Sequence, residues 1–593
     1  MRRRDLLAGV TALAALAPLA ACATAPAQAS GSADARLLAM LDRHAETLDG
    51  PTGAGGLSDA SMAARAQAKA TNAARLAELQ TIDRAALSPS AAIDYDTARY
   101  VYRTMDDQYG RYGFSDINLR PSPYPVSQMN GAYYWLPDGI GTRSPMGSPA
   151  DADRYVAKLE QFAVVLDQET EQLVHEAGQG VIPPDFILEK TTRQIAVLRD
   201  TPPAANPLLS SALTRAATAG LTGVDTRAVA VFNDRIRPAL TRQIAALAAL
   251  KPRANSDAGI WAKPDGEAYY VSGLHSNTTA EYAPGELHQL GLTWVRELSD
   301  EIDALMRAQG LTEGSVADRM AVLDRDPRFL KPSTDEGRQA VIDFANARLD
   351  AVRPLLPRAF TVLPDYPVEV RRVSPAIEAG APGGFYSASS DPDQPSVIFL
   401  NLRLVEENTL WRTPTLLHHE GIPGHHFQAS VMKASGGMSA FRRAVRFSAW
   451  TEGWALYAEQ LAAEIGAYET DPFGRIGYLQ GQLFRACRVV VDTGIHHARW
   501  TRREAIDWMV ANAGELPEAA EREIDRYCVY PGQACSFMVG KQGILAARAQ
   551  AAGALGDRYD LRDFNDFVLT SGPLPVAVLQ QAVANWAEAR RAG

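Results

Sequence analysis

The chain has 593 residues, 46% apolar and 22% charged, an ordinary globular composition that is long for one core and should divide into lobes. A net charge of −10 with no basic stripe excludes nucleic acid as a partner. Outside the leader the cysteines are Cys487, Cys528 and Cys535, an odd set with no C-x-x-C pattern, so at least one stays unpaired and none is expected to bind metal.

The first segment is an address. Arg2-Arg3-Arg4 precede the apolar run Leu6 to Ala20, which is too short to span a bilayer comfortably and reads as an export signal. Leu19-Ala20-Ala21-Cys22 resembles a bacterial lipobox, and Arg3-Arg4-Asp5-Leu6-Leu7 a twin-arginine signal. Residues 1–22 are therefore expected to be a lipoprotein signal, with lipidated Cys22 anchoring an exported, periplasmic protein to the membrane. Residues 23–35, rich in Ala, Ser and Pro, read as a flexible tether.

From residue 36 to 265 the pattern is repeatedly helical. Ala63 to Leu79, Arg154 to Ala177 and Val229 to Leu250 carry apolar residues at three- and four-residue spacing. Proline-rich breaks fall at Pro121 to Pro125 and Pro202 to Pro207, and no fixed repeat is present. This is the expected N-terminal helical lobe, walling a groove. Tyr133-Tyr134-Trp135 reads more readily as packing than as a substrate surface.

Residues 266–593 form the expected catalytic lobe. Pro284 suits a first helical turn, and His288 follows it as a candidate substrate contact. Val368 to Val373, Gly384 to Ser387 and Ser396 to Asn401 alternate as strands around the turn-rich stretch Ser389 to Pro395. Thr413-Pro414 then opens a helix that runs into Leu417-His418-His419-Glu420-Gly421-Ile422-Pro423-Gly424-His425-His426.

This is a stretched form of H-E-x-x-H, in which two histidines one helical turn apart hold Zn²⁺ and the glutamate acts as general base. Here His419 and His425 are six residues apart, which in an unbroken helix is a turn of about 600° and the wrong face. Pro423 lacks an N–H and Gly424 accepts unusual backbone angles, so a two-residue bulge is expected. Six residues then act as four, which favours His425 as the second ligand and leaves His426 as the alternative. Glu420 is the expected base.

Downstream come Glu452-Gly453-Trp454-Ala455-Leu456-Tyr457 and Arg526-Tyr527-Cys528-Val529-Tyr530-Pro531-Gly532-Gln533-Ala534. With His419 to His425, these strings resemble the DUF885 family, bacterial and often exported proteins related by fold to helical zinc metallopeptidases. Looser matches at Thr278 to Leu292 and Phe564 to Leu574 extend the resemblance over most of the chain.

The resemblance implies a mainly α fold, two helical lobes around a groove with a small antiparallel sheet beside the metal-binding helices. The sheet's edge could pair with an extended peptide. It implies Glu452, from the next helix after the histidines, as the third ligand of one Zn²⁺. Glu459, two turns further on, would bind substrate or support the ligands. Arg526 could hold a substrate carboxylate, and Tyr527 and Tyr530 could stabilise the oxyanion of amide hydrolysis. Hydrolysis of peptides or small amides is then the expected activity, with Glu420 moving the proton. The rivals are hydrolysis of a non-peptide amide or ester, and a lipoprotein whose metal site only binds.

Overall fold

The computed structural model describes residues 32–592, apart from 49–54, 115–117, 376–377, 379–382, 390–393 and 437. Cys22, the export signal and most of the tether lie outside the described residues. The first helix, Ala33–Ala45, takes Ser32 as its cap and so absorbs the end of the expected tether.

The longest helix, Pro149–Gly178, shows how local rules build the N-terminal half. Ser148 caps it by accepting from the Asp151 amide, and Pro149 sits where a missing N–H costs nothing. Tyr155, Leu159, Phe162, Leu166 and Leu173 recur on one face and are buried. They pack with Ile195 and Leu240 into a core belonging to residues 57–250. The helix Met62–Leu79 also matches the sequence periodicity.

The lobes interlock instead of meeting at one boundary. Leu37, Leu41, Ala98 and Tyr102 bury themselves against Phe441, Phe447 and Trp450, which come from far later in the chain. A second shared core joins Tyr112, Phe114 and Tyr124 to the helices Pro284–Ala308, Pro472–His496 and Pro517–Val529. The tail forms two helices, Leu561–Thr570 and Val576–Ala592.

The three strands are β1 (Val368–Arg372), β2 (Gly384–Ser387) and β3 (Ser396–Leu400). Their order is β1-β3-β2. The sheet is mixed, which corrects the antiparallel expectation: β2 and β3 pair antiparallel, but β1 and β3 pair parallel with Val370 opposite Ile398. The reason is topological. The short turn after β2 forces β3 to run back, and β3 enters between the other two strands, so its direction matches β1. Val370, Ile398 and Leu400 bury one face against Leu349 and Leu417, fixing the sheet beside the helix Thr413–Glu420. Among the described residues no helix is long and apolar enough to cross a membrane.

Candidate metal centre

The expected bulge is a full break. The helix Thr413–Glu420 ends, residues 421–424 turn, and a new helix, His425–Ala434, begins. A Cβ on Gly424 would meet the His419 carbonyl oxygen at 1.9 Å, so only glycine lets the chain fold back this closely. The turn is pinned from outside. Trp454 Nε1 donates to the Pro423 carbonyl at 3.0 Å, and His418 Nδ1 lies 3.0 Å from the Ile422 carbonyl. A break solves the spacing as a bulge would, because each histidine now heads its own helix end.

The imidazoles of His419 and His425 converge, with ring centroids 4.9 Å apart and planes at 83°. One Glu452 oxygen lies 3.5 Å from His419 Nε2 and 3.4 Å from His425 Nε2. Ligands held at about 2.1 Å in a tetrahedron around zinc stand roughly 3.4 Å from one another. The three side chains therefore fit a single divalent ion. The Glu420 carboxylate joins them, since donor atoms of His419, Glu420 and His425 fall within 4.8 Å of one another. One Glu420 oxygen accepts from the Tyr386 amide of β2 at 3.1 Å, which turns the outer edge of the sheet toward the site. His426 faces the other way, with Nε2 3.0 Å from the Tyr366 carbonyl, so His425 is the histidine presented to the cluster.

Glu452 arrives on the helix Ser448–Glu464, and its neighbour sets the approach. A Cβ on Gly453 would lie 2.6 Å from the Gly540 Cα, so this helix meets Ser536–Leu555 backbone to backbone. Trp454, Tyr457 and Leu461 are wholly buried beneath. Burial opposes ionisation of Glu452, yet the bonds to both imidazoles hold it well below the usual carboxylate range. Burial also opposes protonation of His419, but the hydrogen bonds its ring donates to Glu452 and Glu459 outweigh it and push the ring up to about 9.

Of the two roles open to Glu459, its contacts favour support of the ligands. It is 2% exposed; it binds His419 Nδ1 at 2.8 Å and accepts from Thr415 Oγ1 at 3.1 Å and Gln482 Nε2 at 2.8 Å. Both of its oxygens are thus engaged by the protein. A carboxylate on the far nitrogen of a metal-binding histidine fixes its tautomer and orientation.

The Arg-Tyr segment forms the end of the helix Pro517–Val529. Arg526 Nη2 donates to Gln533 at 3.0 Å, Nη1 lies 3.7 Å from Glu523, and Glu452 acts on its charge. The two phenols are not offered to an oxyanion in this conformation. Tyr527 donates to Glu523 at 2.8 Å and Tyr530 to the Met129 carbonyl at 2.9 Å, both rings being buried. Adjacent carboxylate and carbonyl acceptors outcompete an empty cleft for a buried hydroxyl.

Residues 45–583 match a family model described as "Bacterial protein of unknown function (DUF885)". The chain belongs to the DUF885 family. A solved structure described as a "putative lipoprotein" from Colwellia psychrerythraea is 30% identical to this DUF885 chain. It has a TM-score of 0.88 and covers 94% of this chain and 100% of its own. A second, a "putative lipoprotein of unknown function" from Shewanella oneidensis, shares the fold at TM-score 0.63 and 17% identity. It covers 93% of this chain and 98% of its own. No curated protein matches.

His288 of the DUF885 chain is not brought to the metal cluster. Its Nδ1 lies 2.7 Å from Thr493 Oγ1, and its ring meets Trp500 edge-on. Thr493 and Gln482, which touches Glu459, share one helix but stand about 16 Å apart along it. Cys487, Cys528 and Cys535 are free, buried thiols. Two contributors carried no signal in the sequence: Gln482, on the helix Pro472–His496, and Arg120, from a loop in the N-terminal half. Arg120 stacks its guanidinium 4.3 Å over the Tyr530 ring and, like Arg526, feels the charge of Glu452.

Proposed function

We propose that this chain is a metal-dependent hydrolase of peptide bonds, held outside the cytoplasm by lipidated Cys22. The observation that carries it is the convergence of His419 Nε2 and His425 Nε2 on one Glu452 oxygen at ligand-to-ligand distances, with Glu420 beside them. The lipobox, with the lipoprotein descriptions of the Colwellia and Shewanella proteins, supports the location.

A divalent ion held by His419, His425 and Glu452, zinc by the nature of that donor set, would polarise the scissile carbonyl and acidify a water. Glu420 takes the proton of that water and returns it to the leaving amine. Its second oxygen, tied to the Tyr386 amide, keeps the carboxylate aimed while the proton moves. The β2 edge beside it offers backbone pairing to an extended peptide, which would hold a substrate without reading its sequence. Glu459 keeps His419 in the tautomer that frees Nε2. Arg526 places positive charge next to Glu452, where it would favour a free C-terminal carboxylate and a carboxypeptidase-like preference.

The test is elemental analysis of purified protein beside a peptide digest. Wild type should carry about one zinc per chain and cleave, whereas Glu420→Gln should keep the metal and lose cleavage. Equal cleavage by both proteins ends the proposal. For Arg526, an undiminished preference for a free acid over its C-terminally amidated twin in Arg526→Ala removes that role.

A further inference from the structure

Buried arginines normally find a carboxylate, because an unpaired buried charge is among the costliest features of a fold. Among the described residues, three arginines beside the metal centre form no ion pair: Arg488, which is buried, and Arg120 and Arg485, which are half-buried. Arg488 is 2% exposed, yet its Nε and Nη2 have no hydrogen-bond partner among the described residues. The same is true of Nε of Arg120 and Nε of Arg485. Aromatic faces hold them in place instead: Arg488 lies 4.1 Å and Arg485 5.4 Å from the Phe537 centroid, and Arg120 covers Tyr530.

The nearby carboxylates are already engaged. Glu523 is bound by Tyr527 and lies against Arg526, Glu459 is bound by His419, Thr415 and Gln482, and Glu452 faces the two imidazoles. Asp492, one turn beyond Arg488, accepts from Tyr270 and the Gly532 amide. The charge of Arg526 acts on both Arg120 and Arg488. Phe537 in turn lies parallel to the His419 ring, centroids 6.2 Å apart, so the arginines over it adjoin the metal centre.

We propose that Arg120, Arg485 and Arg488, together with Arg526, form a two-part anion subsite that selects substrates with two carboxylates on the leaving side, a C-terminal Glu or Asp residue. One carboxylate meets Arg120 and Arg526 beside Glu452, and the other meets Arg485 and Arg488 over Phe537. The substrate class rests on the hydrolase reading above; the anion subsite itself does not.

The test is therefore a binding measurement with compounds that hold no bond to cleave. Glutarate and butyrate are titrated calorimetrically into the zinc-loaded full-length protein. Glutarate should bind at least about tenfold more tightly. Arg488→Met and Arg120→Met should each erase that margin, and Arg488→Lys should restore part of it. Melting curves check folding. Should Arg488→Met not fold, Arg120→Met, on a loop, decides. Equal affinity for the two acids, or a margin untouched in the folded variants, overturns the subsite. Failure of peptide cleavage with the glutarate margin intact would instead overturn the hydrolase reading alone.

Discussion

The two halves of the candidate site are built on opposite terms. Around His419 every polar atom is answered: Glu452 and Glu459 take its two nitrogens, Thr415 and Gln482 take Glu459, and a backbone amide takes Glu420. Around Arg488 the N–H groups are left over, steadied only by rings. A network with all its bonds made is rigid and holds atoms at set distances. One with bonds to spare is shaped for something that arrives from outside. The candidate site thus has a positioning half and a receiving half.

The widest break in that comparison comes from the ligands. His419→Ala and Glu452→Gln should each leave the protein without stoichiometric metal and without activity, read by elemental analysis and peptide digestion. Retained metal in both would place the ion elsewhere. Glu420→Gln should keep the ion and lose about 10²–10⁴-fold in kcat, the usual worth of a positioned general base. A loss confined to KM would sink its role as proton carrier.

A stability test sharpens the contrast from behind the receiving half. Burial pushes Asp492 up to about 7, against the hydrogen bonds from Tyr270 and Gly532 that favour its ionised form. Its folded form thus holds a proton that its unfolded form has released from about pH 4 upward. Stability should fall as pH rises through the window from about 4 to 7 and level off above it. Relative to Asp492→Asn, wild type should lose roughly 3–4 kcal/mol across that window. Parallel denaturant-unfolding curves at pH 5 and pH 7.5 for the two proteins would contradict it.

The smallest expected effect tests the positioning half alone. Glu459→Gln keeps the size of the side chain but weakens its hold on His419, so zinc affinity should drop about 10–100-fold. Activity at saturating zinc should largely recover. If saturating zinc restores nothing, Glu459 acts on substrate after all.

The part of this arrangement legible in the sequence was the part made of near neighbours. Thr413-Pro414 announces its helix, the three strands alternate where they form, and His419, Glu420, His425 and Glu452 stand in or next to recognisable strings. The form of the turn between the histidines was not legible, because a break and a bulge both use Pro423 and Gly424. The parallel pairing of β1 and β3 depends on which strand enters the middle, and no local pattern encodes that. Glu459 sits on the right helix face for either role, and only the partners at its oxygens decide. Arg120 was invisible for the plainest reason: its neighbours Tyr530 and Arg526 belong to the opposite half of the sequence.

The turn at residues 421–424 has one more consequence. The two imidazoles belong to separate rods, and the carboxylate facing both belongs to a third. An ion gripped by all three would be a rivet as well as a reagent. Chelation should therefore do more than silence the chemistry: it should let the Pro423 hinge work loose from Trp454 and open the backbone there to proteases that the loaded protein resists.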